Sequence, residues 1–97
     1  MTLNELLDRA TPHPSGFGGK QVRIQYGDYT VSIVGGRDGL YGDFIETFEV
    51  AILKSGGFGE FVTREIYPDA PEDILPWISF MDVQECLKMV EEKSSKT

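Results

Sequence analysis

The sequence has 97 residues, of which 40% are hydrophobic and 11% aromatic, enough apolar material for one domain with a single core and too much for a disordered chain. Its formal net charge is −7, and its single cysteine, Cys86, excludes a disulfide framework. No stretch approaches the roughly 20 apolar residues of a membrane-spanning helix, and the N-terminus lacks the basic start and apolar run of a signal peptide. We therefore expect a single domain over residues 1–97, located in a reducing cytoplasm.

A short helix is predicted first. Thr2 and Glu5 have the spacing of a capping box, in which a hydroxyl and a carboxylate each accept a backbone N–H group at a helix start. Three leucines then share one helical face, and the pattern ends near Ala10. Prolines stop the helix, and residues 11–19, rich in proline and glycine, predict a flexible connector.

Four strands are predicted next. Residues 21–26 and 29–34 alternate apolar and polar side chains and are joined by a Gly-Asp turn, which is typical of a hairpin. Residues 44–54 place apolar side chains on both faces, which predicts a central strand with cover above and below. Residues 58–67 are predicted to return as the fourth strand.

The last third of the chain is more irregular. Three prolines between residues 68 and 76 predict an irregular acidic segment. Asp82 and Glu85 offer a second capping pair, and an apolar stripe from Val83 to Val90 predicts a helix whose polar tail, residues 91–97, frays. The order of elements predicts an α+β fold, a four-stranded antiparallel sheet flanked by a short N-terminal helix and a C-terminal helix.

The sequence contains few residues or motifs typical of catalytic or metal-binding sites. The glycine-rich loop at residues 35–43 lacks the Gly-Lys-Ser/Thr of a phosphate loop and the strand–turn–helix setting of a dinucleotide site. His13 is the only histidine and Cys86 the only cysteine, so a transition-metal site is short of ligands. A serine triad would have to use His13, which lies in the connector with nothing local to orient it. Cys86 has mostly acidic neighbours and is interpreted as a small buried hydrophobe. We predict no enzyme activity, no cofactor and no metal.

The negative charge is concentrated in one region. Residues 38–85 carry a net charge of −9, and the rest of the chain carries +2. Such a bias repels phosphates and anionic lipid, so we expect neither direct nucleic-acid binding nor membrane binding. The carboxylates either solvate the sheet, which is the preferred interpretation, or form a selected binding surface.

Two features are candidates for contact with a partner. The loop at residues 35–43 is either a plain flexible connection, the preferred interpretation, or an exposed tip. Trp77 either packs against the last helix as core, again the preferred interpretation, or is an exposed anchor with acidic neighbours. The full set of candidate partner-binding residues is Arg37, Leu40, Tyr41, Asp43, Glu46, Glu49, Glu60, Asp69, Glu72, Asp73 and Trp77.

Four segments, residues 29–36, 40–43, 47–52 and 73–77, resemble small accessory proteins encoded by tailed bacteriophages and prophages. The resemblance lies in strand and turn patterns from Tyr29 onward and assigns no activity or site residues. It implies a compact early or accessory product that acts inside an infected bacterial cell.

The leading hypothesis is a non-enzymatic phage-type protein that binds a host protein, such as a defence or nucleic-acid-handling factor, and modulates or inhibits it. A second hypothesis is mimicry of DNA by the carboxylates of residues 38–85. A third is a structural or virion assembly component that associates, as a homodimer or otherwise, through an exposed strand edge. An enzyme is the least favoured class.

Overall fold

The computed structural model describes residues 2–12, 19–36, 44, 46–54, 60–70 and 73–95. In chain order the elements are α1 (Leu3–Arg9), β1 (Thr11–Pro12), β2 (Lys20–Tyr26), β3 (Tyr29–Gly35), β4 (Phe48–Lys54), α2 (Thr63–Ile66), β5 (Leu75–Ile78) and α3 (Phe80–Ser95). The predicted α+β class, antiparallel sheet and terminal helices are confirmed. The predicted strand number is wrong, because the described residues form five strands and not four.

The five strands form one antiparallel sheet in the order β1-β2-β3-β4-β5, so each strand pairs with its neighbour in the chain. The predicted hairpin is confirmed, with Tyr26 opposite Tyr29 across a turn in which Gly27 has a φ of 59°. Only glycine adopts that conformation without steric cost, so this turn depends on Gly27.

One face of the sheet is covered by helices. β2, β3 and β4 turn alternate apolar side chains toward this face, which we call the covered face. α1 contributes Leu6 to the core, and α3 contributes Val83, Cys86, Leu87 and Val90. The predicted capping box of α1 is also confirmed, since the Thr2 hydroxyl accepts the Glu5 N–H at 3.1 Å and the Glu5 carboxylate accepts the Thr2 N–H at 3.3 Å.

The opposite face, which we call the open face, is concave. Its concavity has a volume of about 260 Å³. It is lined by Gln21, Arg23, Ser32, Val34, Glu49, Ala51, Leu53, Phe61 and Ile74. Ala51 and Leu53 are buried here while Val50 and Ile52 are buried on the covered face, as predicted for a central strand.

The predicted strand at residues 44–54 begins late, because β4 starts at Phe48. Phe44 has a φ of 61° and its N–H donates to the Thr47 carbonyl at 2.9 Å, which turns the chain before the strand. The Phe44 ring then packs edge-on against Phe48 with centroids 5.2 Å apart. A Cβ on Gly35 would lie 2.7 Å from the Phe44 nitrogen, so glycine is required at this close approach.

The predicted fourth strand at residues 58–67 is largely wrong. Phe61 forms only an isolated bridge with Leu53, and Thr63–Ile66 is the short helix α2. The fifth strand, β5, lies instead in the proline-containing segment that was predicted to be irregular. Thr11 and Pro12, predicted as the start of a connector, pair with Gln21 and Lys20 as β1.

The C-terminal helix is longer than predicted at both ends. α3 begins at Phe80, and the Ser79 hydroxyl accepts the Asp82 N–H at 3.2 Å, so Ser79 is the capping residue and not Asp82. Helical structure continues to Ser95, beyond Glu91 where fraying was predicted. Ser94 approaches the β2–β3 turn, where a Cβ on Gly27 would lie 3.5 Å from the Ser94 Cβ.

Candidate partner-binding site

Trp77 lies on β5, at one edge of the sheet, and its side chain is 59% exposed. The sequence alternative that placed this residue in the core is therefore wrong. Among the described residues, the other large exposed hydrophobic side chains are Phe61 at 55% and Met81 at 78%. Trp77 is the largest of the three, and its ring offers the most apolar contact area to a partner.

The backbone at Trp77 forms a β-bulge. Ile78 pairs with Phe48 and Leu75 pairs with Val50, so three steps along β5 span two steps along β4. Trp77 absorbs the extra residue with a φ of 56°. A bulky side chain in this left-handed region is an outlier and costs on the order of 1–2 kcal/mol.

The outer edge of β4 is shared by two separate segments. Toward its end, the Val62 N–H donates to the Ile52 carbonyl at 2.7 Å and the Lys54 N–H donates to the Glu60 carbonyl at 3.2 Å. Toward its start, the same edge pairs with β5. α2 and the residues after it lead the chain from the first segment to the second.

Thr63 joins these two segments. Its fully buried hydroxyl accepts the Ile52 N–H at 3.0 Å and donates to the Asp73 carbonyl at 2.6 Å. Both bonds satisfy backbone groups near the point where one segment leaves β4 and the other arrives. No sequence pattern points to Thr63, because a threonine that follows β-forming residues carries no local signal for this role.

Among the described acidic candidates, Asp73 is the one that contacts Thr63 and Arg64. Its φ is 60°, and its carboxylate lies 3.7 Å from the Arg64 Nε. The Arg64 Nε also donates to the Ala70 carbonyl at 2.9 Å. Both side chains are partly exposed, so we expect the ion pair to contribute about 1 kcal/mol or less and to act mainly on the local geometry.

The other described acidic candidates do not form a single row. Glu46 precedes β4 and Glu60 lies beside its last residue, so the strand's length of about 20 Å separates them. Glu49 is half-buried on the open face, and Asp69 is exposed in the turn after Tyr67. The remaining candidates, Arg37, Leu40, Tyr41, Asp43 and Glu72, lie outside the described residues.

Five acidic residues that were not among the candidates lie on α2 and α3, namely Glu65, Asp82, Glu85, Glu91 and Glu92. Asp82, Glu85 and Glu92 follow a helical spacing that puts them on one side of α3. After burial and the neighbouring Cys86 thiol, the charges of Glu85 and Asp82 also raise the pKa of Tyr67. Glu65 and Glu92 line a groove of about 320 Å³ with Ile66, Met89 and Lys93. The spacing on α3 was visible in the sequence, but the position of α2 beside it was not.

Cys86 is buried beside Tyr67. Burial raises the pKa of the Cys86 thiol to about 11, and the hydrogen bond with Tyr67 lowers it only in part. Burial, followed by the nearby thiol and carboxylates, raises the pKa of the Tyr67 hydroxyl, which donates to the Met89 sulfur at 3.4 Å. The thiol is thus held protonated at neutral pH, in keeping with its interpretation as a small hydrophobe.

Comparison with known proteins finds no family model, no curated protein and no solved structure that matches the chain. In the described part, no group of three His, Cys, Asp or Glu side chains converges to hold a metal ion. None of the described helices is long and apolar enough to cross a membrane. The candidate site therefore rests on the geometry around Trp77.

Proposed function

We propose that this chain is a small acidic phage-type accessory protein that binds a host protein and modulates or inhibits it. The observation that carries the proposal is the exposed indole of Trp77, held at a bulge in an edge strand on a strained backbone. Strain of this kind persists where the surrounding structure imposes it, and it clusters at ligand-binding sites. Tryptophan is also among the residues that most often dominate the binding energy of an interface.

The charge around this surface suggests the kind of host protein. Described residues between Glu60 and Glu85 include six acidic side chains and one basic side chain, Arg64, which lies beside Asp73. A basic partner surface is attracted to this region, and the attraction raises the association rate more than the final affinity. A nucleic-acid-handling or defence factor of the infected cell presents such a surface. The proposal assigns no catalytic residue and places the protein in the bacterial cytoplasm.

A capture experiment tests the proposal. Tagged protein, Trp77→Gly and Phe61→Ala are incubated with bacterial lysate, and bound proteins are quantified. Glycine accepts the φ of 56° at position 77, so the first variant removes the indole without adding strain. Phe61 is a control of similar exposure on the open face.

We expect a stoichiometric host protein to bind the unchanged protein and Phe61→Ala. We expect Trp77→Gly to weaken that binding by roughly 30-fold or more, the effect of losing an interface hot spot. Absence of a stoichiometric partner, or equal capture by Trp77→Gly, would count against the proposal.

DNA mimicry is the second candidate, and the observation in its favour is the alignment of Asp82, Glu85 and Glu92 on one side of α3. These three carboxylates span about 15 Å of helix, whereas duplex DNA carries one charge per roughly 1.7 Å of its axis. The helix is therefore a much sparser array of charge than the duplex, and the basic Lys93 directly follows Glu92. The sparse charge favours the proposal that Trp77 is the main contact with a host protein over mimicry of DNA.

Charge reversal separates the two candidates. If the protein mimics DNA, replacing Glu85 and Glu92 by lysine abolishes partner binding, and adding duplex DNA displaces the partner in a salt-dependent way. If Trp77 anchors the complex, the same double variant binds more slowly but retains most of its affinity. The matched control reverses Asp8 and Asp28, which are exposed on α1 and on the β2–β3 turn.

A further inference from the structure

The segment that carries Trp77 is tied to the rest of the molecule on both sides of that residue. Leu75 and Ile78 hold β5 to β4 on either side of the bulge. A further tie toward the N-terminus is at Asp73, where the backbone takes its own positive φ of 60°. The segment from Asp73 to Trp77 therefore changes direction at both ends, and its course depends on how each end is held.

Thr63 makes the tie at Asp73 through a fully buried hydroxyl. The same hydroxyl accepts the Ile52 N–H, so a single side chain connects a central residue of β4 to the start of the segment that carries Trp77. Arg64 also reaches Asp73, but its side chain is 54% exposed and solvent weakens that contact. The buried hydroxyl is the firmer of the two connections.

We propose that Thr63 is the positioning residue for Trp77, its hydroxyl fixing Asp73 and thereby the exposed placement of the indole. The consequence for binding rests on the proposed function, in which Trp77 contacts the partner. The placement of the ring itself does not depend on that function and can be measured without a partner.

The chain contains a single tryptophan, so its fluorescence reports on this position alone. Thr63→Val keeps the branched shape and removes the hydroxyl, and Thr63→Ser keeps the hydroxyl. Thr30→Val is the matched control, because Thr30 is also a buried threonine but lies on β3. Emission maximum, acrylamide quenching and fluorescence anisotropy are measured for each folded variant.

We expect Thr63→Val to change the quenching constant and lower the anisotropy of Trp77, while Thr63→Ser and Thr30→Val match the unchanged protein. In the capture experiment we expect Thr63→Val to weaken partner binding by roughly tenfold, part of the loss caused by removing the indole. Serine should restore the affinity. If circular dichroism shows that the valine variant is unfolded, Thr63→Cys, with only a weak donor and acceptor, takes its place.

Failure of the positioning role of Thr63 and failure of the proposed function give different outcomes. Unchanged quenching and anisotropy in Thr63→Val overturn the inference about Thr63, whether or not a partner is captured. A changed spectrum together with full binding by Trp77→Gly overturns the proposed function and leaves the positioning role of Thr63 standing. A changed spectrum with normal affinity in Thr63→Val overturns the link between the two.

Discussion

A tryptophan with a φ of 56° carries a steric cost that glycine does not. The buried fraction of the Trp77 ring stabilises the fold and offsets part of that cost. Deleting the side chain therefore removes a stabilising contact and, where the new residue is glycine, also relieves the backbone strain. Comparing two deletions isolates the backbone, because glycine and alanine both lack the ring.

We expect Trp77→Gly to be more stable than Trp77→Ala by about 1 kcal/mol, the reverse of the order usual for a glycine–alanine pair in regular structure. Urea denaturation of both variants at neutral pH measures the difference. The equivalent pair at Gln25, an exposed position within β2, should show the usual order. Greater stability of the alanine variant at position 77 would mean that its backbone is not left-handed in solution.

Cys86 and Tyr67 make the stability of the fold sensitive to alkaline pH. The pKa of Cys86 is raised by burial from 9.0 to about 11, and that of Tyr67 is raised in the same direction. The unfolded chain therefore loses these protons first. The stabilisation from the Cys86 thiol is complete below pH 9 and is lost as the pH rises toward 11, whereas that from the Tyr67 hydroxyl starts to decline only as the pH passes its ordinary pKa of 10.0.

For Cys86 alone this shift corresponds to a loss on the order of 2–3 kcal/mol across that interval. Urea unfolding measured between pH 8 and pH 10.5 should show the decline, and the decline should be shallower in Cys86→Ala. The alanine variant is expected to be less stable at every pH because the substitution leaves a cavity. The comparison therefore concerns how steeply the free energy of unfolding falls with pH, and not its absolute value. Parallel pH curves would contradict a buried thiol.

At the scale of elements, the start of α3 depends on Ser79, whereas the sequence pattern predicted Asp82 as the capping residue. Ser79 caps the helix through the Asp82 N–H. We expect Ser79→Ala to lower the free energy of unfolding by about 1 kcal/mol and Ser79→Asn to leave it nearly unchanged, since asparagine is an equally good cap. Thermal or urea denaturation tests this, and equal losses in both variants would show that the hydroxyl has no capping role.

Elements defined by a local pattern were predictable. The capping box of α1, the alternation of β2 and β3 and the apolar stripe of α3 each appear within a few residues of sequence and each exists in the structure. These signals depend on backbone geometry and side-chain period, which the chain carries locally.

Elements set by distant contacts were not predictable. Residues 63–66 directly follow the β-forming Phe61 and Val62 but turn into α2, where the Thr63 hydroxyl bonds to β4 and to Asp73. β5 contains Pro76, which argues against a central strand and is tolerated here because β5 lies at the edge and carries a bulge. Trp77 lies at that bulge, which no local pattern signals, and the interpretation preferred from the sequence, a tryptophan packed in the core, was wrong.

At the scale of the whole molecule, both edges of the sheet have features that discourage association. β1 at one edge has two residues, one of them Pro12, and β5 at the other has four residues, a proline and a bulge. Short, irregular, proline-containing edge strands are how natural sheets avoid pairing with one another. This arrangement weakens the hypothesis of assembly through a strand edge.

We therefore expect the protein to remain a monomer of 10.8 kDa over a wide concentration range, as measured by size-exclusion chromatography with light scattering. Replacing Pro12 and Pro76 by threonine should promote concentration-dependent association, because threonine restores an N–H donor at each edge. A stable dimer of the unchanged protein would revive the assembly hypothesis.

The sheet's strand order, in which every strand lies beside its neighbour in the chain, bears on the speed of folding. Each pair of neighbouring strands can form once the loop between them has closed. The loss of chain entropy at each step is therefore small. The long-range event is the docking of α1 and α3, from opposite ends of the chain, onto the same face. Such a topology has a low contact order for a sheet protein, which places its folding at the fast end of that class and shortens the time for which the apolar face is open to aggregation.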